Sequence, residues 1–241
     1  MQLGLGLDDN AAKLRDIHAR LIARFGRHAR PLGTRFDPEA QLVQGVIGAR
    51  TKTAVSNRST RAMLAHYGSW LAVSRAPLTE LKGFLETATF PDIAATRLKA
   101  ALTAIVDQRG DVDLSHLRDM SVADAMAWLE TLPGIARKIS AGVMNASTMN
   151  RPAMVIDSHH RRVLQRLGLV SRSADTRRAY DAIVPAQPDD WSAMDMDEHH
   201  MLMKRLGQTY CRPKSPDCAR CPLAGICGKV GVEPAGGISV H

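Results

Sequence analysis

Four cysteines, Cys211, Cys218, Cys221 and Cys227, fall within one 17-residue stretch, "CRPKSPDCARCPLAGIC", and the rest of the chain has none. Thiolates are soft metal ligands, and four in a single loop match tetrahedral zinc or an iron-sulfur cluster. Structural zinc is usually held by two short Cys-x2-4-Cys knuckles set well apart, whereas the spacing here is x6, x2, x5, with only Cys218 and Cys221 close together. That leans towards a cubane. Two disulfides in so short a loop would suit a small secreted scaffold, but the N-terminus "MQLGLGLDDN" has no basic segment or apolar core of an export signal.

A second centre of chemistry is "LPGIARKIS", Leu132 to Ser140. Proline lacks an amide donor and glycine reaches backbone angles closed to other residues, so Leu-Pro-Gly breaks a helix. Arg137 and Lys138 follow at once, and another apolar helix lies behind them. Free amides in such a turn, with the positive end of the next helix, hold a phosphate oxygen without reading a base. An αα-corner with a capping glycine is the plainer alternative. Further on, "PAMVIDSHHRRVLQRLGL" carries an apolar run ending at Asp157, which caps the helix after it.

These groups must be positioned by helices, because most segments read at helical period and strand alternation is nowhere sustained. The expected class is all-α. "DDNAAKLRDIHARLIARFG" reads as a helix starting on an Asp cap, with Leu14, Ile17, Leu21 and Ile22 on one face, and "DPEAQLVQGVIGAR" has Asp37 as cap with Pro38 in the first turn. Helices follow in "SNRSTRAMLAHYG", "PLTELKGFLETA", "DIAATRLKAALTAIVDQRG" and "SVADAMAWLETL" before the turn. After it come "RKISAGVMNAS", "DSHHRRVLQRLGL", "SADTRRAYDAIVPA" and "DMDEHHMLMKRLGQTYC", and the Gly-rich end "GKVGVEPAGGISVH" reads as a loose tail.

Composition sets the partner class. The formal charge is +8 over 241 residues, which favours nucleic acid or an anionic membrane surface, and the 45% apolar content supplies a core. No apolar run reaches the roughly 18 residues a membrane span needs, so a cytoplasmic, membrane-free protein is expected. Aromatics make up only 4%, too few for the stacking platforms of many single-strand binders.

The hairpin, the lysine just inside it, the aspartate after an apolar segment and the cysteine loop, in that order, resemble the endonuclease III family of DNA glycosylases. Its hallmarks are "LPGxGRK", "VDTH" and a Cys-x6-Cys-x2-Cys-x5-Cys loop; this chain has "LPGIARK", "IDSHH" and the same spacing, and the likeness runs from about Asp37 to Cys227. The resemblance implies two helical domains: a six-helix barrel, 31–151, with a helix-hairpin-helix at about 124–145, and a cluster domain of 1–30 plus 152–241 with the cluster loop at 211–227. It implies Lys138 as nucleophile, Asp157 as catalytic aspartate and the four cysteines as ligands of a [4Fe-4S] cluster. A monomer acting on double-stranded DNA with damaged bases or abasic sites follows, nucleoid-associated when bound. The implied activity is a glycosylase with β-elimination lyase chemistry, oxidised pyrimidines being the best single substrate. A catalytically weak DNA-binding protein on the same scaffold, or a glycosylase of altered lesion specificity, is the alternative.

Three positions depart from the family pattern. Ala136 replaces the second hairpin glycine, and "GARTKT" stands for "SAQATD", placing Arg50 where a glutamine fills the gap left by a flipped base and Thr53 where an aspartate lies. Arg50 there could bond an orphan guanine or bind phosphate. The expected DNA contacts are Arg50, Gly134, Ala136, Arg137, His159, Arg212 and Arg220. His160, His199 and His200 are expected in capping, packing or surface roles, and Arg161, Arg162 and Arg166 as either a solvated face or phosphate contacts.

Overall fold

The computed structural model describes residues 4–28 and 30–233, and among them every regular element is helical. Two compact units emerge: Arg30–Val155, and Met1–Ala29 with Ile156–His241. The division falls after Val155, a few residues beyond the expected 151. The segment read as a loose tail lies, for residues 234–241, outside the described residues.

In the first unit α2 (Pro38–Ile47) is the central element, packing against α3 (Thr53–Tyr67), α6 (Pro91–Arg109) and α8 (Arg137–Ala146). Its start follows from its sequence: Asp37 Oδ1 accepts from the Ala40 amide at 2.7 Å, and proline occupies the first turn. Leu42, Val43, Val46 and Ile47 are fully or almost fully buried. Truncating Leu42 to alanine removes contacts worth about 2–5 kcal/mol. Gly45 lets α2 meet α8, since a Cβ there would stand 3.0 Å from Ile139 Cγ2.

α4 (Trp70–Arg75) and α5 (Leu78–Phe84) pack against α3 and α6, and α7 (Val122–Leu129) packs against α8. With α4 the unit has seven α-helices rather than the six expected. Six residues are too short to display an apolar period, and its only sequence signal was Ser69, whose hydroxyl caps the Ala72 amide at 3.1 Å.

The other unit is built from α1 (Gly4–Phe25), α9 (Ser158–Leu167), α10 (Thr176–Ile183) and α11 (Ala193–Thr209). α1 begins at Gly4, ahead of its expected Asp cap, and Asp9 instead makes an i,i+4 pair with Lys13 at 2.7 Å. Leu14, Ile17 and Leu21 bury its inner face, and α11 packs against both α1 and α9. A reciprocal capping box between Ser192 and Asp195 starts α11.

Candidate active site and cysteine loop

The hairpin runs from the end of α7 through Gly134 into α8. Gly134 has φ +77°, a conformation that calls for glycine, and a Cβ there would lie 3.2 Å from Arg97 Cγ, a tight approach to the arginine stem. Ile135 donates to the Leu132 carbonyl at 3.1 Å, whereas the amides of Gly134 and Ala136 donate to no group among the described residues. Ala136, the N-cap of α8, has φ −120° and ψ 171°, extended backbone that tolerates a methyl, and no side chain caps the helix. The turn therefore presents unspent donors at a positive helix end.

Arg137, expected to reach DNA, is engaged elsewhere. Its Nε donates to Glu130 Oε1 at 2.6 Å, the Ser140 hydroxyl donates to the same oxygen at 2.8 Å, and the arginine and glutamate side chains are only 17% and 8% exposed. This group braces the end of α7 against the start of α8. Lys138 is half-buried in the first turn of α8, one helical turn from Gly142 on the same face.

Asp157 belongs to the other unit and is the N-cap of α9. Its Oδ1 accepts from the His159 and His160 amides at 2.8 and 2.9 Å, and Oδ2 accepts no hydrogen bond among the described residues. Burial alone would raise its pKa. The field of His200, the His160 amide and the charges of His160 and Lys204 overcome burial and bring it down to about 2, so the carboxylate is ionised at neutral pH.

Behind it the α9–α11 seam is rich in imidazoles. The His160 ring lies 5.4 Å from His199 and 6.0 Å from His200, and His18 lies 5.5 Å from His199. His160 and His199 are fully buried, and burial pushes His199 well below its usual range and His200 to about 3. Packing is thus the role of these three histidines. His159 packs on α11: a Cβ on Gly207 would come within 2.8 Å of its own Cβ.

The four cysteines line one cavity together with Arg166, Tyr210 and Ala224. A tetrahedral zinc with Zn–S near 2.3 Å would draw its sulfurs to about 3.8 Å from one another. The four thiols line a common space with an all-sulfur donor set, the kind that structural zinc or an iron-sulfur cluster takes. Backbone and cationic donors address the sulfurs: Arg166 Nη1 lies 3.3 Å from Cys211 Sγ and the Lys229 amide 3.4 Å from Cys227 Sγ. As free thiols, Cys221 and Cys227 are raised by burial and by the other cysteines, a penalty that a metal bound there would reverse.

Arg162 and Arg166 tie α9 to this loop. Arg162 donates to the carbonyls of Cys211 and Gly207 at 2.8 Å each, and Arg166 to those of Arg212 and Pro213 at 2.7 and 3.0 Å. Arg220 is 79% exposed and paired with Asp217, while Arg212 reaches the Ser215 carbonyl at 3.3 Å.

Arg50 takes a left-handed conformation, φ +61°, uncommon for a side chain of its size. Its carbonyl accepts from Thr89 Oγ1 at 2.9 Å, the Thr89 amide donates to Thr51 Oγ1 at 3.2 Å, and its guanidinium lies 5.8 Å from the ring centre of Phe90, which is 42% exposed. Thr53 opens α3. Sequence reasoning missed Glu130, Phe90 and Arg97, whose partners lie in other elements; the only signal for Glu130 was its place just before the hairpin.

No family model matches the chain. It is 29% identical over 195 residues to endonuclease III of Bacillus subtilis (strain 168), covering 79% of this chain and 81% of that one. Endonuclease III of Thermotoga maritima is 22% identical, over 89% of this chain and 92% of its own. Among solved structures, a trapped endonuclease III–DNA covalent intermediate superposes with a TM-score of 0.73 at 22% identity, covering 91% of this chain and 96% of that one. A thermostable thymine-DNA glycosylase gives 0.68 at 16% identity, over 92% and 96%. The fold these neighbours share is that of the helix-hairpin-helix glycosylases. The chain is thus similar in sequence to endonuclease III and shares the fold of its solved structures.

Proposed function

We propose that the protein is a base-excision DNA glycosylase with AP-lyase activity, acting on oxidised pyrimidines in duplex DNA as a monomer. The observation that carries the reading is the hairpin itself: a turn with unspent amides, held in shape by Glu130, four residues ahead of a half-buried lysine in the first turn of α8. The turn grips a backbone phosphate on one side of the lesion. The damaged nucleotide leaves the stack, because its C1′ cannot be reached inside the duplex.

The neutral amine of Lys138 attacks C1′ as the base departs with a proton. The C1′–N bond of the base breaks, the lysine C–N bond forms, and ring opening gives a Schiff base. Loss of a proton from C2′ then expels the 3′ phosphate by β-elimination. Asp157, anionic and with Oδ2 uncommitted, stabilises positive charge developing at C1′ and accepts or returns protons. Cys211, Cys218, Cys221 and Cys227 would hold a [4Fe-4S] cluster, which fixes the loop carrying Arg212, Lys214 and Arg220 beside the DNA backbone. Arg50, fixed by Thr89, faces the base opposite the lesion and favours guanine.

Borohydride trapping on an abasic duplex tests this. The wild-type protein should give a covalent adduct, since borohydride reduces the Schiff base; Lys138→Gln should give neither adduct nor strand cleavage, yet still bind DNA. Asp157→Asn should bind DNA but lose about 100- to 1,000-fold in excision, the loss typical of one positioned charge. An adduct that persists in Lys138→Gln would mean that another amine is the nucleophile.

A further inference from the structure

Arg97 sits on α6, remote in sequence from the hairpin, yet its aliphatic stem lies against the turn. A Cβ built on Gly134 would meet Arg97 Cγ, Cβ and Cδ at 3.2, 3.4 and 3.4 Å, so the missing side chain of Gly134 is the space the arginine stem occupies. The residue is exposed, and among the described residues its guanidinium has neither a hydrogen bond nor an ion-pair partner. The two cations of the same unit nearest the hairpin in sequence are differently placed: Arg137 is held by Glu130, and Lys138 lies inside the first turn of α8. The amide of Gly134, against which the stem packs, is unspent, and so is that of Ala136 two residues on.

We propose that Arg97 is a DNA-contacting residue of the hairpin, whose guanidinium pairs with the backbone phosphate that the Gly134 and Ala136 amides bind. The assignment rests on the glycosylase reading. It supplies the hairpin with a charge that its own sequence has committed elsewhere. A stem packed on glycine gives up little further freedom on binding, because its first carbons are already fixed by contact, and a guanidinium matches the paired oxygens of a phosphate. The contact positions the duplex without reading sequence.

The test is affinity for a duplex with one abasic-site analogue, measured for wild type, Arg97→Gln and Arg97→Lys from 0.1 to 1 M monovalent salt. One lost phosphate contact lowers the log–log salt slope by about 0.9. Arg97→Gln should therefore bind about eightfold more weakly at 0.1 M and converge with wild type near 1 M, and Arg97→Lys should recover most of the slope. A wild-type slope in Arg97→Gln removes Arg97 from the interface while leaving the glycosylase reading intact. An equal loss in both variants means that the arginine acts through packing on Gly134, and the proposal fails. If wild-type protein shows no salt-dependent duplex binding and no borohydride adduct, the glycosylase reading falls and the assignment with it.

Discussion

Replacing Glu130 with glutamine should be among the most damaging single changes in the hairpin unit. Glu130 is 8% exposed and its ion-pair partner Arg137 17% exposed, so neutralising the carboxylate removes the counter-charge of a guanidinium that water scarcely reaches. Removing one member of a buried pair costs about 3–5 kcal/mol, and Arg137 can turn partly outward, which puts the expected loss near the lower end, about 3 kcal/mol. For a unit of this size 1 kcal/mol moves the melting temperature by roughly 4 °C, so the transition of Arg30–Val155 should fall by about 12 °C. Circular dichroism melts and urea titrations of the whole protein would measure it. A control comes from the double variant Glu130→Leu/Arg137→Met: apolar replacement of both partners removes the charge as well as its counter-ion, and stability should return to within about 1–2 kcal/mol of wild type. A Glu130→Gln protein melting within 2 °C of wild type, or a double variant no better than the single one, would refute the brace.

Acid should act on the other unit first. His18, His199 and His200 have pKa values lowered in the fold, so below about pH 6.5 the unfolded chain binds more protons than the folded one and stability falls as pH drops; each group contributes at most about 1.4 kcal/mol per pH unit. Asp157 works the same way lower down, its stabilisation being lost as pH falls from 3.8 towards 2. Unfolding free energy flat between pH 7 and 4.5 would show these imidazoles to be solvated. Gly207→Ala would place a methyl 2.8 Å from His159 Cβ, with little room for α9 to yield, and should destabilise by about 1–3 kcal/mol; a neutral effect would contradict the close packing of α9 on α11. Freshly purified protein should carry about four irons per chain with broad visible absorption, and stoichiometric zinc without iron would overturn the cluster. Ala136→Gly should tighten duplex binding modestly if the methyl crowds the phosphate, and unchanged affinity would remove that crowding.

The long helices were legible because cap and period agreed: Asp37 with Pro38, Ser121 before α7, Asp157 before α9 each sit where a local rule puts them. The hairpin was legible for the same reason, Leu-Pro-Gly being a breaker between two apolar runs. What stayed hidden depends on through-space partners. Arg137 was expected at a phosphate, and its pairing with the buried Glu130 on the far side of the turn is a contact no local rule points to. Arg97 drew no reading from the sequence, and only the positive φ and bare Cα of Gly134 give it a place. Arg162 and Arg166 offered two readings, solvated face or DNA contact, and the carbonyls of the cysteine loop supplied a third.

The unit that carries Asp157 is assembled from both sides of the other one in sequence, and this has a consequence during synthesis. α1 ends at Phe25 and its packing partner α11 begins at Ala193, 168 residues later by subtraction. A ribosome adding roughly 5–20 residues per second needs about 8–34 s to cover that interval. Throughout it, Leu14, Ile17 and Leu21 have no α11 to bury them, and once Val155 has been added the other unit has every residue of its own core. The emerging chain thus holds one finished body and one sticky leading helix, the state in which a holding chaperone has most to offer it. Moving α1 beyond the cysteine loop through a linker would remove the wait, because Leu14, Ile17 and Leu21 would not be made until α11 exists to bury them.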